Sequence, residues 1–96
     1  MEETLYITTL YDYYGELLTE KQKEYFEDYY FNNLSLSEIA ENNDISRNAI
    51  HKQIKDSISK LEKYEEKLEL YKKRKKIEEI ISDLDLKIQE KIKELI

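Results

Sequence analysis

The residues best suited to do chemistry follow one another closely in the middle of the chain. Asparagine can pair bidentately with adenine, arginine and lysine can contact guanine or phosphate, and histidine can do either. A serine at a helix N-terminus can offer its hydroxyl and backbone N–H to a phosphate. Because every amphipathic helix needs a polar face, a merely solvated surface explains the same residues equally well. The candidate nucleic-acid-binding residues are Ser46, Arg47, Asn48, His51, Lys52 and Lys55.

Catalytic and metal-binding chemistry is poorly supported. His51 is the single histidine, it follows Ile50, and the chain has no cysteine, which makes a zinc site improbable. The acids alternate with lysines at a spacing of four along the second half, which is typical of a solvated helix face. There is no glycine-rich phosphate loop and no nucleophile elbow. We therefore expect a protein that is not an enzyme and uses no metal or cofactor.

The element that must position these residues is a helix-turn-helix over residues 36–61. Asp44 stands where the turn needs a left-handed backbone, which Asp tolerates better than most residues. Ile45 is expected to act as an apolar plug, and Ser46 is a good N-cap for the second helix. The apolar stripes at helical spacing are Leu36, Ile39 and Ala40 in the first helix and Ile50, Ile54, Ile58 and Leu61 in the second.

Two further helices are predicted before the motif. The first covers residues 4–14, with Gly15 as its C-cap, and the second covers residues 20–31. Two capping boxes support these boundaries, T-x-x-Q from Thr19 to Gln22 and S-x-x-E from Ser35 to Glu38. Most of the nine tyrosines fall at helical spacing among leucines and isoleucines, so we expect core and interface positions rather than a base-stacking platform.

The C-terminal third carries a long apolar stripe that the helix-turn-helix does not account for. We divide the chain into a helical head, residues 1–61, and a helical extension, residues 62–96. The basic run 72–76 interrupts the stripe, so the extension is one helix of about 50 Å or two helices with a bend near 72–76. A small head cannot cover such a stripe. We therefore expect a homodimer that pairs through the extension.

Composition sets the class of the protein. A chain of 96 residues with one glycine and no proline favours a single all-α domain, because sandwiches and barrels need many turn residues. The lack of cysteine is compatible with a reducing cytosol, and we expect a cytoplasmic location. The N-terminus does not resemble a signal peptide, and no apolar run of about 18 residues exists, so membrane insertion is not expected.

Charge is distributed unevenly between the two halves of the chain. The net charge is −6, which argues against indiscriminate binding of nucleic acid. Residues 1–46 carry eleven acids against two lysines, a net charge of −9, whereas residues 47–96 carry fourteen basic residues against eleven acids, a net charge of +3. The positive charge thus begins with the second helix of the motif. The acidic half would repel phosphate over a Debye length of about 8 Å.

Two resemblances follow from these motifs. The stretch from LLTEKQ to YEEKL resembles region 4 of sigma-70-type factors, with its L-S-x-x-E-I-A and I-S-R-x-A-I segments. More closely, LYDYYGELLT, YYFNNLSLSEIAE, ISRNAIHKQI and LEKYEEKLELYKK are similar to the YlxM-type family of small bacterial helix-turn-helix proteins. The resemblance implies a sigma-region-4-like bundle and a regulatory role in the signal recognition particle pathway of protein targeting. Asp44 stands where many such motifs have glycine.

Three functions remain open on this basis. The leading hypothesis is a non-enzymatic regulator that acts with the targeting machinery through its RNA, its GTPase or the promoter of its genes. The second is a transcriptional regulator that binds specific duplex DNA as a dimer. The third is a protein-interaction adaptor whose helix-turn-helix no longer contacts nucleic acid. Alanine at the outer positions of the second helix would distinguish the adaptor from the other two.

Overall fold

The computed structural model describes residues 3–96, which form α-helices joined by short turns and contain no β-strand. The predicted all-α class is therefore confirmed. A short 3₁₀ turn over Gly15–Leu17 follows the first helix. The helices are α1 (Thr4–Tyr14), α2 (Glu20–Tyr30), α3 (Leu36–Asn43), α4 (Arg47–Leu68), α5 (Leu70–Ile80) and α6 (Leu86–Leu95).

Local sequence signals fix the beginnings of α2 and α3. The Thr19 hydroxyl accepts the Gln22 N–H, and the Gln22 side chain accepts the Thr19 N–H. Ser35 and Glu38 form the same reciprocal pair before α3. Each box satisfies two backbone donors that a helix N-terminus leaves unpaired. Both predicted capping boxes are confirmed.

The core lies around α4, whose apolar face packs against α1, α2 and α3. The rings of Tyr11 and Phe26 stack with their centroids 4.3 Å apart, and the Tyr11 hydroxyl donates to Glu27 at the surface. Tyrosine thus supplies a buried ring with a solvated hydroxyl, as the sequence predicted. The buried core residues are Ile7, Leu10, Tyr14, Leu18, Tyr25, Phe26, Leu36, Ile39, Ala40, Ile50, Ile54, Ile58 and Leu61.

The extension bends at Glu69, so both predicted alternatives, one continuous helix and two helices with a bend near 72–76, are wrong. Glu69 adopts a left-handed conformation, with φ 55° and ψ 30°, and is the single residue between α4 and α5. A side chain of α4 holds the bend. The buried carboxylate of Glu65 accepts the N–H groups of Tyr71 and Lys72, each at 3.1 Å. These bonds cap the first turn of α5 and fix its direction against α1.

The extension therefore contains three helical pieces. Helix α4 passes through Leu61 without interruption and ends at Leu68, and α5 returns along α1. A hydrogen bond from Arg74 to the Ile96 carbonyl joins the end of α6 to α5. The molecule measures 53 × 25 × 21 Å, and its radius of gyration of 16.5 Å exceeds the roughly 12.5 Å expected for a compact chain of this length. The molecule is thus elongated, although α5 packs along α1. None of the helices within residues 3–96 is long and apolar enough to cross a membrane.

Candidate nucleic-acid interface

The turn between α3 and α4 sets the position of the candidate residues. Asp44 has φ 55° and ψ 42°, and its N–H bonds to the carbonyls of Ala40 and Glu41. The Ile45 N–H also reaches the Ala40 carbonyl, at 3.1 Å. These bonds form a Schellman motif, which ends α3 and redirects the chain into α4. The predicted left-handed conformation of Asp44 is confirmed.

Ser46 begins α4 as predicted. Its Oγ accepts the Ala49 N–H at 3.0 Å, which satisfies one of the free donors of the first turn. Because the oxygen acts there as an acceptor, the hydroxyl hydrogen remains available to donate. Ser46 is exposed, so a phosphate bound there could accept a hydrogen bond from its hydroxyl. The positive end of the helix dipole would also attract that phosphate.

The outer face of α4 brings the other candidates together. They lie opposite the buried stripe that begins at Ile50, and the helix begins at Arg47, so they occupy its first three turns. Most of them are exposed to solvent, whereas His51 is half-buried. The exposed members of this face are Arg47, Asn48, Lys52 and Lys55.

The basic side chains on this face differ in whether they form an ion pair within the protein. Lys52 Nζ pairs with Asp56 Oδ2 at 3.0 Å, one turn further along α4. Within residues 3–96, neither Arg47 nor Lys55 takes part in an ion pair. An exposed pair contributes little stability and is easily exchanged. Arg47 and Lys55 are thus the cations most free to bind an anion.

Acidic side chains lie close to this face. Glu38, Glu41 and Asp44 are all exposed on α3 and its turn. The backbone N–H of Ser35, which donates to the Glu38 carboxylate, holds the pKa of Glu38 below its usual range. Glu38 is therefore ionised at neutral pH. This negative charge weakens the attraction of the neighbouring α4 face for phosphate.

Ile45 is not the buried plug that the sequence predicted. Its side chain is 40% exposed beside Arg47. The Schellman motif fixes the backbone of Ile45 through its N–H bond to the Ala40 carbonyl, but it does not bring the side chain into the buried core. An exposed isoleucine next to polar candidates is a contact group that the pattern did not identify. In the sequence, this contact group is indicated only by an apolar residue directly before the N-cap residue Ser46.

Residues 3–96 contain no group of three or more His, Asp or Glu side chains that could hold a metal ion. Two clefts do occur, on either side of Tyr71. One of about 540 Å³ is bordered by Tyr13 and Arg74, and one of about 460 Å³ by Tyr6 and Lys76. Both lie between α1 and α5 and are separate from the outer face of α4.

A short helix, a left-handed turn and a longer capped helix with an exposed polar face define a helix-turn-helix protein. A family model described as "Putative helix-turn-helix protein, YlxM / p13 like" matches residues 1–96, and the chain belongs to this family, UPF0122. The resemblance to the YlxM-type family is thereby confirmed.

Bacterial relatives support the assignment. A UPF0122 protein of Fusobacterium nucleatum is 48% identical over 84 residues, which cover 88% of this chain and 82% of the relative. One of Malacoplasma penetrans is 52% identical over 83 residues, covering 83% and 78%. One of Listeria welshimeri is 46% identical over 90 residues, covering 94% and 82%. The similarity thus extends from the head into the extension.

Proposed function

We propose that this protein is a non-enzymatic regulator that binds nucleic acid through the outer face of α4. The observation that carries the proposal concerns two basic residues, Arg47 and Lys55, which form no ion pair within residues 3–96. Both lie on an exposed face of α4 whose opposite side is buried. In helix-turn-helix proteins the N-terminal part of the second helix enters the major groove. The exposed part of α4 begins at that end.

The side chains have distinct roles in this proposal. Asn48 reads adenine, and Arg47 reads guanine or holds a phosphate. Lys55 binds phosphate and contributes affinity rather than sequence preference. The exposed side chain of Ile45 can contact a thymine methyl group. Lys52 must first release Asp56, so we expect it to contribute less than Lys55.

The setting of this activity is taken from the family. The resemblance of its motifs to the YlxM-type family implies a role in the signal recognition particle pathway, and we propose that the partner there is the particle's RNA, its GTPase or the promoter of its genes. The proposal assigns the protein to the cytoplasm. In its DNA-binding form the protein acts as a homodimer on half-sites about 34 Å apart.

The adaptor function is the second candidate, and one observation favours it. Residues 1–46 carry a net charge of −9, and exposed acids of α3 lie next to the binding face. A surface that repels phosphate is suited to a basic protein partner. Binding of nucleic acid and its dependence on Arg47 therefore decide between the two functions.

Fluorescence anisotropy with labelled duplex DNA and with the particle's RNA tests the proposal. The Arg47→Ala/Lys55→Ala variant should bind about 10- to 100-fold more weakly, and its salt slope should fall by about two. A matched control is Lys63→Ala/Lys67→Ala, which removes two exposed cations from the C-terminal half of α4. Equal affinity of both variants for nucleic acid, or no binding of either nucleic acid at low salt, would contradict the proposal. The adaptor function would then remain.

A further inference from the structure

The two sides of α5 face different surroundings. Tyr71 packs on the head, where its ring lies 5.7 Å from that of Tyr6 and 6.4 Å from that of Tyr13. Ile80 lies nine residues further along, which at 3.6 residues per turn is half a turn round the helix from Tyr71. Leu70 and Ile77 fall on the same side as Ile80. The apolar residues of α5 therefore lie beside and opposite its contact with the head, and none of them belongs to the buried core of the head.

Helix α6 covers only part of this stripe. Ile81, in the turn after α5, is buried, but neither α5 nor α6 buries a residue of its own. Polar bonds hold α6 in place, from Arg74 to the Ile96 carbonyl and from Gln89 to two carbonyls of the turn. A strongly amphipathic helix without a buried face is marginal by itself. The exposed apolar residues of this surface are Leu70 at 45%, Ile80 at 73%, Leu84 at 44%, Ile88 at 48% and Leu95 at 86%.

We infer that a second copy of this chain covers the apolar face of α5 and α6, so that two helical hairpins form a four-helix bundle. The inference deepens the proposed function, on which its biological use rests, since two copies present two α4 helices together. The pairing itself requires no nucleic acid. The bundle would bury apolar surface that otherwise remains in water.

The charges of the hairpin favour a second copy over an unrelated partner. Residues 72–76 carry five consecutive cations, whereas residues 78–85 carry four acids and no cation. An isologous two-fold contact with antiparallel α5 helices places the basic end of each copy against the acidic end of the other. Lys73 and Lys76 lie on either side of Ile80 on the helix surface, are exposed, and have no ion pair within residues 3–96. Each copy thus supplies both halves of a complementary surface.

Sedimentation equilibrium of the full chain, without nucleic acid and at micromolar concentration, tests the inference. The expected mass is twice the 11.7 kDa of one chain. The Ile80→Lys/Ile88→Glu variant leaves the net charge unchanged and should raise the dissociation constant by roughly 30-fold or more, because apolar anchors dominate such interfaces. Both positions are already exposed, so the monomer fold should survive, as circular dichroism would show.

Leu86→Glu is the matched control. Leu86 is 74% exposed, as much as Ile80, but lies half a turn round α6 from Leu95 and therefore outside the stripe. The Leu86→Glu variant should have a dimer dissociation constant within about threefold of the wild-type value, since isolated surface residues contribute little to an interface. A monomeric wild type, an unchanged dimer in the double variant, or equal loss with Leu86→Glu would each overturn the inference.

Charge exchange tests the antiparallel arrangement. Lys73→Glu/Lys76→Glu and Glu79→Lys/Asp83→Lys should each weaken self-association, and an equimolar mixture should recover pairing as heterodimers. Failure of the mixture to recover would contradict the two-fold arrangement. Arg47→Ala/Lys55→Ala should dimerise like the wild type. A dimer that binds no nucleic acid would refute the proposed function and leave this inference intact. A monomer that binds nucleic acid through α4 would refute this inference and the dimeric DNA-binding form, but not the role of α4 as the binding helix.

Discussion

The hydroxyl of Tyr14 donates a 2.6 Å hydrogen bond to the carboxylate of Glu65, although the two residues are 51 positions apart. The same hydroxyl accepts the Leu70 N–H at 3.1 Å. Together the two side chains satisfy the first three N–H groups of α5. A tyrosine of α1 and a glutamate of α4 thus cap a helix to which neither belongs, and the extension is held to the head at this point.

The first prediction concerns this junction. Tyr14→Phe leaves the buried carboxylate of Glu65 without one of its partners and should lower the free energy of unfolding by about 1–3 kcal/mol. The amides of the first turn of α5 should also exchange faster with solvent. Urea unfolding and hydrogen exchange provide the two measurements. Tyr13→Phe is the control, because the Tyr13 hydroxyl makes no hydrogen bond with residues 3–96; equal loss in both variants would contradict the capping role.

The second prediction concerns alkaline pH. Burial, reinforced by the hydrogen bond to Glu65, raises the pKa of Tyr14 from 10.0 to about 12. Because the folded pKa exceeds the unfolded one, the neutral hydroxyl stabilises the fold fully below about pH 10, and this contribution is lost as the pH rises towards 12. Tyr11, buried and bonded to Glu27, also has a raised pKa and acts in the same direction. Stability measured across this window should fall less in Tyr14→Phe than in the wild type, while Tyr13→Phe should retain the wild-type decline.

The third prediction tests the turn of the helix-turn-helix. Asp44→Ala places a residue poorly suited to φ 55° at the end of α3 and should lower the free energy of unfolding by about 1 kcal/mol. Asp44→Asn should be nearly neutral, because asparagine tolerates the left-handed region as well as aspartate does. Chemical denaturation measures both. If alanine and asparagine at this position gave equal stability, the turn would not depend on the conformation of Asp44.

The fourth prediction concerns acid. The Ser35 N–H bond lowers the pKa of Glu38 from 4.5. A lowered folded pKa gives stability that is present above the unfolded value of about 4.5 and is lost as the pH falls through the folded value. Glu38→Gln keeps an acceptor for the Ser35 N–H but does not titrate, so its thermal midpoint should fall less below this pH. Glu41→Gln, on the same helix without a capping contact, should show the wild-type fall; an identical fall in Glu38→Gln would refute the cap.

Much of the head could be predicted because its signals are local. The first residues of α2 and α3 are set by capping pairs three residues apart, Thr19 with Gln22 and Ser35 with Glu38. The left-handed turn at Asp44 likewise depends on residues within one helical turn. The outer face of α4 followed from periodicity alone, since a buried stripe fixes which residues remain exposed.

The rest depends on contacts that the sequence does not mark. Glu69 is a good helix former in a run without glycine or proline, yet it is left-handed because Tyr14 and Glu65 cap the helix after it. Such a cap joins distant residues, so no window of sequence contains it. The exposure of Ile45 was missed because it depends on the direction of its side chain.

The most direct test of the central claim is mapping of amide chemical shifts in the isotope-labelled protein as duplex DNA or the particle's RNA is added. The proposed function predicts that the largest changes fall on Ser46, Arg47, Asn48 and Lys55, with little change in the acidic helix α2. These changes should disappear in Arg47→Ala/Lys55→Ala. Absence of changes with either nucleic acid, or changes centred on another surface, would contradict the assignment of α4 as the binding helix.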